Sequence, residues 1–315
     1  MPSSKSSTSP PCILMKSKKL PLSLRIRMWA GRYVYFGKNE CGMDNVLRLP
    51  FGKIVKFRTT WNEVQAMEYV RKHTSVPVPK IYKVFERNDS YIDIVMEYIP
   101  GDKADFTAMS AEEIQKLGEQ LANYLDQLRS LEPPEPGFIG SATQESLLDH
   151  RLGHYRFGPF HSVADFHAYL RFGGALEEWL YDPVVKKIHG KSSEYQVKFT
   201  HADLNPKNIR YRNGRITAII DWECAGWYPE YWEYTKIWFA DHAVYQNFLD
   251  AVDGSPRITN YTEELQAERD IWRRISPWRY DSFYGNPKSM AAFKRSIART
   301  QETQGRPGES AAADS

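Results

Sequence analysis

A short β-rich segment set among helical patterns constrains the fold more than any other part of this sequence. Gln196–Phe199 has the composition of a strand, and Ile209–Tyr211 and Ile216–Ile220 are joined through Asn213-Gly214, a strong β-hairpin signal. The patterns before and after this segment favour helices. We therefore expect a strand, a polar loop and a hairpin embedded in a mainly helical region.

The polar loop over residues 201–208 carries the residues best suited to chemistry. Asp203 and Asn208 lie five positions apart in it, and the hairpin returns Asp221 beside them. Carboxylate and amide oxygens are the ligands that Mg²⁺ prefers, and a further carboxylate can orient or deprotonate a hydroxyl. Phosphoryl transfer needs such positioning and charge neutralisation. Asn208 and Asp221 are also ordinary turn residues, which is the competing interpretation.

The N-terminal region, from about Leu24 to Tyr98, has mostly a strand pattern. Pro50-Phe51-Gly52 lies between the first two strands and indicates a hairpin. A helix is predicted after them, with Thr60 and Glu63 as a capping box and an end before Val76. The predicted strands are Val46–Leu49, Ile54–Phe57, Ile81–Glu86 and Tyr91–Tyr98.

After Pro100-Gly101 the sequence becomes helical. Ser110 and Glu113 form a second capping box, and apolar residues then recur every three or four positions to about Leu131. Residues 133–160 are rich in Pro and Gly and are expected to be irregular. Further helices are predicted within 162–188 and 231–252. The chain is therefore expected to be of the α+β class.

Composition limits the classes of partner. The chain has 315 residues and a net charge of +3, without a dense basic tract, so we expect no nucleic-acid partner. It has no apolar run near the ~20 residues of a membrane span, so we expect no membrane partner. Three widely spaced cysteines, Cys12, Cys41 and Cys224, fit free thiols in a reducing compartment, and the predicted location is the cytoplasm.

The N-terminus allows a second interpretation. No Asp or Glu precedes Glu40, whereas Lys and Arg recur and serines cluster from Ser3 to Ser9. This composition suits a mitochondrial transit peptide, but Pro10, Pro11 and Pro21 would interrupt its helix. A disordered basic tail is the preferred interpretation.

The loop resembles the catalytic loop of protein kinases, in which His, Asp and Asn have the spacing of His201, Asp203 and Asn208 here. Asp221 matches the metal-binding Asp of that fold. Two departures, Ala202 after the His and Trp222-Glu223 after Asp221, are similar to the aminoglycoside phosphotransferase and choline kinase branch.

The segment Ile219–Tyr234 is similar to fungal members of the aminoglycoside phosphotransferase family. The likeness covers roughly residues 30–240 and is strongest over 199–238. It implies a bilobal protein-kinase-like fold, with a small antiparallel-sheet N-lobe and a larger, mainly helical C-lobe. We expect a disordered tail over 1–22, a nucleotide-binding N-lobe over 23–98, a catalytic and substrate-binding C-lobe over 99–300 and a second disordered tail over 301–315.

The resemblance implies that ATP and Mg²⁺ bind in the cleft between the lobes. It assigns Asp203 to the acceptor hydroxyl, Asn208 and Asp221 to Mg²⁺, and Lys56 to the α- and β-phosphates, with Glu63 as the ion-pair partner of the lysine. His201 is expected to be a structural residue that hydrogen-bonds the backbone near Asp221.

Other residues compete for the nucleotide roles. Lys53 is the alternative to Lys56, and Glu68 is the alternative to Glu63. Gly37–Gly42 is a weak candidate for a loop over the phosphates. Backbone groups of Glu97 and Ile99, where the chain passes between the lobes, are candidates for contacts to the adenine edge.

The acceptor is the least determined part of the site. Glu223, Glu230 and Glu233 are interleaved with aromatic residues, an arrangement that suits an amine-bearing acceptor through ion pairs and cation–π contacts. The competing interpretation is that the aromatic residues form core and that the carboxylates pair with Arg or Lys. The interleaved aromatic residues are Trp222, Trp227, Tyr228, Tyr231, Trp232, Tyr234 and Trp238.

Three alternatives to this function were weighed. A protein kinase is disfavoured because no Ala-Pro-Glu motif follows Asp221. A choline or ethanolamine kinase shares the expected chemistry. A non-catalytic nucleotide-binding regulator is disfavoured because Asp203, Asn208 and Asp221 are all present. The predicted activity is transfer of the γ-phosphoryl of ATP to a hydroxyl of a small molecule.

Overall fold

The computed structural model describes most of the chain and divides it into two compact units. The first unit comprises Met1–Asp105 and Lys207–Glu223, and the second comprises Phe106–Pro206 and Cys224–Ser315. The described residues are 13–15, 20–34, 45–87, 91–103, 108–179, 182–239, 245–275 and 288. The candidate phosphate loop Gly37–Gly42 and the predicted tail over 301–315 lie outside them.

The first unit contains two β-sheets and two α-helices among its described residues. Its elements are β1 Ile13–Met15, α1 Leu22–Val34, β2 Val46–Leu49, β3 Lys53–Thr59, α2 Trp61–His73, β4 Ile81–Glu86, β5 Ile92–Glu97, β6 Asp102–Lys103, β8 Ile209–Arg212 and β9 Arg215–Ile219. The strands form a five-stranded sheet in the order β1-β4-β5-β3-β2 and a three-stranded sheet in the order β6-β8-β9. All neighbouring strands are antiparallel except β1 and β4. The predicted hairpin and the strands of this region are confirmed.

The start of this unit differs from expectation. The mostly strand pattern assigned from Leu24 is wrong for Leu22–Val34, which is helix α1. The helix begins after Pro21, whose carbonyl accepts a hydrogen bond from the N–H of Leu24 at 3.0 Å. Ile13–Met15 forms a strand beside β4, so the tail expected over residues 1–22 is not disordered at these three residues.

The core of the sheet explains why α1 forms. Leu24 on the helix packs with Leu49, Val55, Phe85 and Val95 of the strands. This contact removes apolar surface from water, which stabilises a helix too short to persist alone.

Helix α2 also starts differently from the prediction. Thr60 is its N-cap, but its side chain makes no capping hydrogen bond, so the predicted capping box is wrong. The carboxylate of Glu63 instead accepts hydrogen bonds from Lys56 and Thr59. A buried ion pair therefore replaces the local cap.

The predicted hairpin after the polar loop is confirmed. Asn213 and Gly214 have φ values of 50° and 77°, and they join β8 to β9. Positive φ at both central residues is the requirement of the tight turns that match the twist of a hairpin. This turn fixes the register that ends β9 at Ile219, just before Asp221.

The second unit is mainly helical, with strands β7 (Val197–Thr200) and β10 (Gly226–Pro229) paired antiparallel. Ser110 and Glu113 form the predicted capping box at the start of α3. Its elements are α3 Ala111–Arg129, α4 Val163–Leu170, α5 Pro183–Gly190, β7 Val197–Thr200, β10 Gly226–Pro229, α6 Trp232–Ile237, α7 Gln246–Asp253 and α8 Thr262–Arg274. The α+β class is confirmed.

None of the helices that the structure describes is both long and apolar enough to cross a membrane.

Candidate active site

Three predicted residues meet in the first unit as a buried ion-pair cluster. The ammonium of Lys56 on β3 lies 2.9 and 2.8 Å from the two carboxylate oxygens of Glu63 on α2. The same ammonium lies 2.7 Å from Oδ1 of Asp221, which follows β9. Lys56 is 3% exposed and Glu63 is 1% exposed. The structure thus brings together the lysine, its predicted partner and one predicted metal ligand.

The alternatives to these residues lie elsewhere. Lys53 is only half-buried, and its ammonium lies over the ring of Tyr82, 4.7 Å from the centroid. Glu68 is exposed on α2. Lys56 and Glu63 are therefore the pair that the fold buries.

Burial and charge oppose each other in this cluster. Burial alone would lower the pKa of Lys56, but the negative charges of Glu63, Asp221 and Glu223 outweigh it and raise that pKa. Burial raises the pKa of Glu63, against the opposing effect of the Lys56 ammonium. Lys56 is accordingly a permanent cation at this position, which suits a group that binds phosphate oxygens.

Asp221 lies in an unusual backbone conformation. Its φ is 69°, in the left-handed region that costs a non-glycine residue free energy. The next turn is held by Asn62 of α2, whose amide donates to the carbonyl of Glu223 at 2.7 Å. This arrangement directs the Asp221 carboxylate at Lys56.

The oxygen donors beside Asp221 fit Mg²⁺. One carboxylate oxygen each from Glu63, Asp221 and Glu223 lies within 4.8 Å of the others. Asn208 is also buried. Its backbone carbonyl accepts a hydrogen bond at 2.9 Å from the N–H of Ile220, the residue before Asp221. Oxygen donors of this kind fit a hard divalent cation. Glu223 was not predicted as part of the metal set, although its position two residues after Asp221 was the available signal.

Lys56, Glu63 and Asp221 line a pocket of the first unit. Its apolar wall comes from β2, β3, β5 and the residues beside them. The residues of that wall are Val46, Ile54, Pro79, Met96, Ile99 and Ile220.

The two predicted adenine-edge residues both line this pocket. The N–H of Glu97 is already bonded to the carbonyl of Lys80 at 2.8 Å. The N–H of Ile99 donates no hydrogen bond to any residue that the structure describes. The Ile99 N–H is thus the better donor for a ligand in the pocket.

Arg210 lines the same pocket and was not predicted. It is buried on β8, and its Nη2 has no hydrogen-bond partner among the described residues. A buried unpaired donor is costly unless a ligand satisfies it. Its position on a strand, two residues after Asn208, was only a weak indication that it belongs to the site, because arginines on strands usually face solvent.

The polar loop belongs to the second unit up to Pro206. Ala202 has a φ of 61°, and the N–H of Asp203 donates to Nδ1 of His201 at 3.2 Å. His201 is buried, and this bond ties its ring to its own loop. Its predicted hydrogen bond to the backbone near Asp221 stays a prediction.

Glu233 holds this loop from behind. Its Oε2 accepts from the N–H of His201 at 2.6 Å and its Oε1 accepts from the N–H of Ala202 at 3.2 Å. It is 7% exposed, and burial raises its pKa to about 7, with the nearby Asp203 charge adding to the rise and the two N–H groups opposing it. Glu233 is therefore committed to the loop backbone, and the suggestion that it contacts a cationic acceptor is wrong.

The other suggested acceptor contacts are also internal. Glu230 accepts from the N–H of Gln196 at 3.1 Å and from the hydroxyl of Tyr261 at 3.1 Å. Most of these aromatic residues are core, as the competing interpretation predicted, and Trp238 is half-buried. Those fully buried are Trp222, Trp227, Tyr228, Tyr231 and Trp232.

Comparison with known proteins agrees with this geometry. A sequence profile described as the phosphotransferase enzyme family (APH) matches residues 28–271. No curated protein matches the chain.

Several solved structures are similar in fold. A thermostable mutant of aminoglycoside phosphotransferase APH(4)-Ia, in ternary complex with AMP-PNP and hygromycin B, is 16% identical, with a TM-score of 0.50 over 83% of this chain and 90% of that chain. The GDP complex of aminoglycoside 2'-phosphotransferase-IIIa is 12% identical, with a TM-score of 0.50 over 82% and 89%. The gentamicin–APH(2")-IIa complex is 14% identical, with a TM-score of 0.50 over 85% and 96%.

These likenesses are at low identity and establish the fold, which is protein-kinase-like. The profile spans most of the chain, including the loop, the hairpin and the ion-pair cluster. The chain therefore belongs to the phosphotransferase enzyme family.

Proposed function

We propose that the protein transfers the γ-phosphoryl group of ATP to a hydroxyl of a small molecule in a Mg²⁺-dependent reaction. The observation that carries this proposal is the cluster of Lys56, Glu63 and Asp221 at the end of an apolar pocket. A fixed cation and a set of carboxylates beside a pocket with an apolar wall suit a nucleoside triphosphate with its metal.

In this proposal, Lys56 binds the phosphates and Glu63 holds the ammonium in place. Asp221 and Asn208 are the proposed metal ligands, and Glu223 is within reach of the same position. Bound Mg²⁺ would neutralise charge on the phosphate oxygens. The left-handed backbone of Asp221 keeps its carboxylate on the phosphate side of the pocket.

The nucleotide base is assigned to the apolar end of the pocket. The carbonyl of Glu97 would accept from the base and the N–H of Ile99 would donate to it. Arg210 supplies a further unpaired N–H donor in the same pocket. Two of the structural neighbours contain AMP-PNP or GDP, which supports a nucleotide here without deciding between adenine and guanine.

Asp203 is the proposed group that orients and deprotonates the acceptor hydroxyl. The two hydrogen bonds from the loop to Glu233 fix the backbone that presents it. Since a general base must lie within hydrogen-bond reach of the proton it takes, a fixed loop is a requirement of this role.

The acceptor is proposed only as a class. Hygromycin B and gentamicin are bound in two of the similar solved structures, which supports a small-molecule acceptor, and an amine-bearing acceptor is the narrower proposal within that class. Glu230 and Glu233 are hydrogen-bonded within the protein. Of the three carboxylates suggested as partners of an acceptor amine, these two are therefore removed, and Glu223 remains. A choline or ethanolamine kinase and a non-catalytic nucleotide-binding regulator are the alternatives.

The deciding experiment measures ATP consumption by the purified protein with aminoglycosides, amino alcohols, and neutral sugars or polyols side by side. The Asp203→Asn variant is the control, and we expect its kcat to fall by about 10²–10⁴-fold with unchanged ATP affinity. Turnover of choline alone would support the choline-kinase alternative. ATP binding without turnover of any acceptor would contradict an enzyme and favour a regulator.

A further inference from the structure

Helix α1 has two apolar faces, and only one of them is buried. Leu24 and Gly31 face the sheet. On the opposite side, apolar side chains recur at steps of four, three and four residues, which places them in one stripe along the helix. Trp29 is 64% exposed and Tyr33 is 65% exposed, with their rings 4.9 Å apart. The exposed stripe consists of Leu22, Ile26, Trp29 and Tyr33.

The helix cannot rotate to bury this stripe. A Cβ atom added at Gly31 would lie 2.2 Å from the carbonyl oxygen of Arg48 on β2, so the two backbones are in close contact. Leu24 is part of the buried core of the sheet. The inward face is therefore fixed, and the outward stripe stays on the surface.

The surface along one side of the stripe is basic. Arg25 and Arg32 flank the stripe on that side and are exposed. Arg27 is also exposed, but it lies about 130° around the helix from the stripe, nearer the buried face. No Asp or Glu occurs in α1 or anywhere before Glu40.

We propose that α1 docks on an anionic membrane surface through its exposed stripe, lying flat in the interface. An interfacial helix needs an apolar stripe flanked by Lys or Arg, and Trp and Tyr favour the headgroup level. The 13-residue helix is about 20 Å long, and its stripe runs along that whole length. This proposal replaces the expectation, drawn from the lack of a spanning segment, that the chain has no membrane partner.

Charge favours a lipid surface over a second copy of the chain. In a two-fold pairing of this face, the same surface contacts itself, so Arg25 and Arg32 would approach the arginines of the other copy. The helix carries no acidic side chain to compensate them. Anionic headgroups supply the missing negative charge, at a gain that is salt-dependent.

The test is co-sedimentation of the full chain with vesicles of phosphatidylcholine alone, and with vesicles in which roughly a third of the lipid is phosphatidylserine. We expect binding to the anionic vesicles only, weakened by salt. Arg25→Ser/Arg32→Ser should lower the partition coefficient by roughly 20- to 30-fold, the product of two basic contacts. Trp29→Ser/Tyr33→Ser should lower it by at least about tenfold.

Matched controls separate this surface from general charge and aromaticity. Arg212→Ser/Arg215→Ser removes two exposed arginines from the β8–β9 hairpin, and Tyr155→Ser removes an exposed aromatic side chain from the second unit. These variants should bind anionic vesicles like the parent protein. Thermal unfolding of each variant establishes that it is folded.

Several outcomes would overturn the proposal. The parent protein could fail to bind anionic vesicles, or bind both vesicle types equally. The Trp29→Ser/Tyr33→Ser variant could bind as tightly as the parent. A dimer in solution that this double variant dissociates, without vesicle binding, would assign the face to a second copy instead.

Discussion

The ammonium of Lys56 and Oδ1 of Asp221 lie 2.7 Å apart, although 165 positions separate the two residues in the chain. The contact joins β3 to the residue that follows β9, inside the first unit. Lys56 also binds both carboxylate oxygens of Glu63. One buried cation thus organises two carboxylates, and removal of that cation leaves both without their counter-charge.

Lys56→Met should destabilise the protein by about 3–5 kcal/mol, because breaking a buried ion pair leaves an uncompensated charge. It should also weaken nucleotide binding by at least about tenfold. Urea unfolding and calorimetric titration with Mg-ATP measure the two effects. The matched control is Lys53→Met, on the same strand, which should cost no more than about 1 kcal/mol. A larger loss of nucleotide affinity in the Lys53 variant would contradict the assignment.

Asp221→Ala should abolish metal-dependent turnover while the protein stays folded. The bound cation is the largest local charge in such a site, so loss of its main carboxylate removes the Mg²⁺ dependence of nucleotide affinity. Calorimetric titration of the nucleotide with and without Mg²⁺ measures this dependence directly. Turnover within a few-fold of the parent, in a well-folded variant, would show that Asp221 is not the ligand.

Glu233→Gln should lower kcat by about 10²-fold with unchanged nucleotide affinity, because it disturbs the backbone that presents Asp203. An amide in place of the carboxylate turns one acceptor oxygen into a donor facing a backbone N–H. Glu230→Gln is the matched control, since Glu230 also accepts a backbone N–H, that of Gln196, away from the loop. Equal losses in the two variants would mean that Glu233 acts through general stability alone.

The parts of the fold with local signals could be predicted. Asn213-Gly214 determines the hairpin through its left-handed φ values, and the Ser110–Glu113 capping box marks the start of α3. The loop that contains Asp203 lies between these local features and a strand. The sequence therefore predicts where this loop lies in the chain, between a strand and a hairpin, and the structure confirms that position. The roles of its residues stay predictions.

The parts that depend on long-range contacts could not be predicted. Glu63 has the spacing of a capping residue to Thr60, but its carboxylate accepts hydrogen bonds from the buried Lys56 and forms no capping box. Glu233 lies among aromatic residues, and nothing local shows that it binds the backbone of His201. Helix α1 is apolar on two faces, so its sequence lacks the one-sided periodicity by which a helix is recognised.

The stability contributed by Glu233 and Glu268 should depend on pH. Burial raises the pKa of each from the ordinary value of 4.5 to about 7. Between these values the folded protein holds a proton that the unfolded chain releases. The stabilisation is therefore fully present below pH 4.5 and is lost as the pH rises through 7, by up to about 3 kcal/mol for each carboxyl.

Two buried histidines oppose this dependence in the parent protein. Burial lowers the pKa of His167 to about 3 and lowers that of His189 as well, so their contribution grows as the pH rises toward 6.5. The measurement is therefore a difference: the unfolding free energy of the parent minus that of Glu268→Gln, at a series of pH values from 4 to 8. We expect this difference to fall with pH across the window of about 4.5–7. A difference independent of pH would show that folding does not raise the pKa of Glu268.

Ala202 lies in the loop that contains Asp203 and has a left-handed backbone conformation. Its φ of 61° costs an L-residue about 1–2 kcal/mol, and glycine would be free of that cost. Ala202→Gly also loses a buried methyl, worth about 0.8 kcal/mol, and gains entropy in the unfolded chain, worth about 0.4–1 kcal/mol. These opposing contributions nearly cancel, so the unfolding free energy should change by less than about 1 kcal/mol.

Two variants complete this test. Ala202→Val adds a branched side chain to a buried residue with positive φ and should cost at least about 2 kcal/mol, with a loss of kcat. Ala218→Gly removes an equally buried methyl from β9, where φ is not positive, and should destabilise more than Ala202→Gly because no strain is relieved. Denaturant unfolding midpoints rank the three variants. If Ala202→Gly proved as damaging as Ala202→Val, the left-handed conformation that presents Asp203 would be absent.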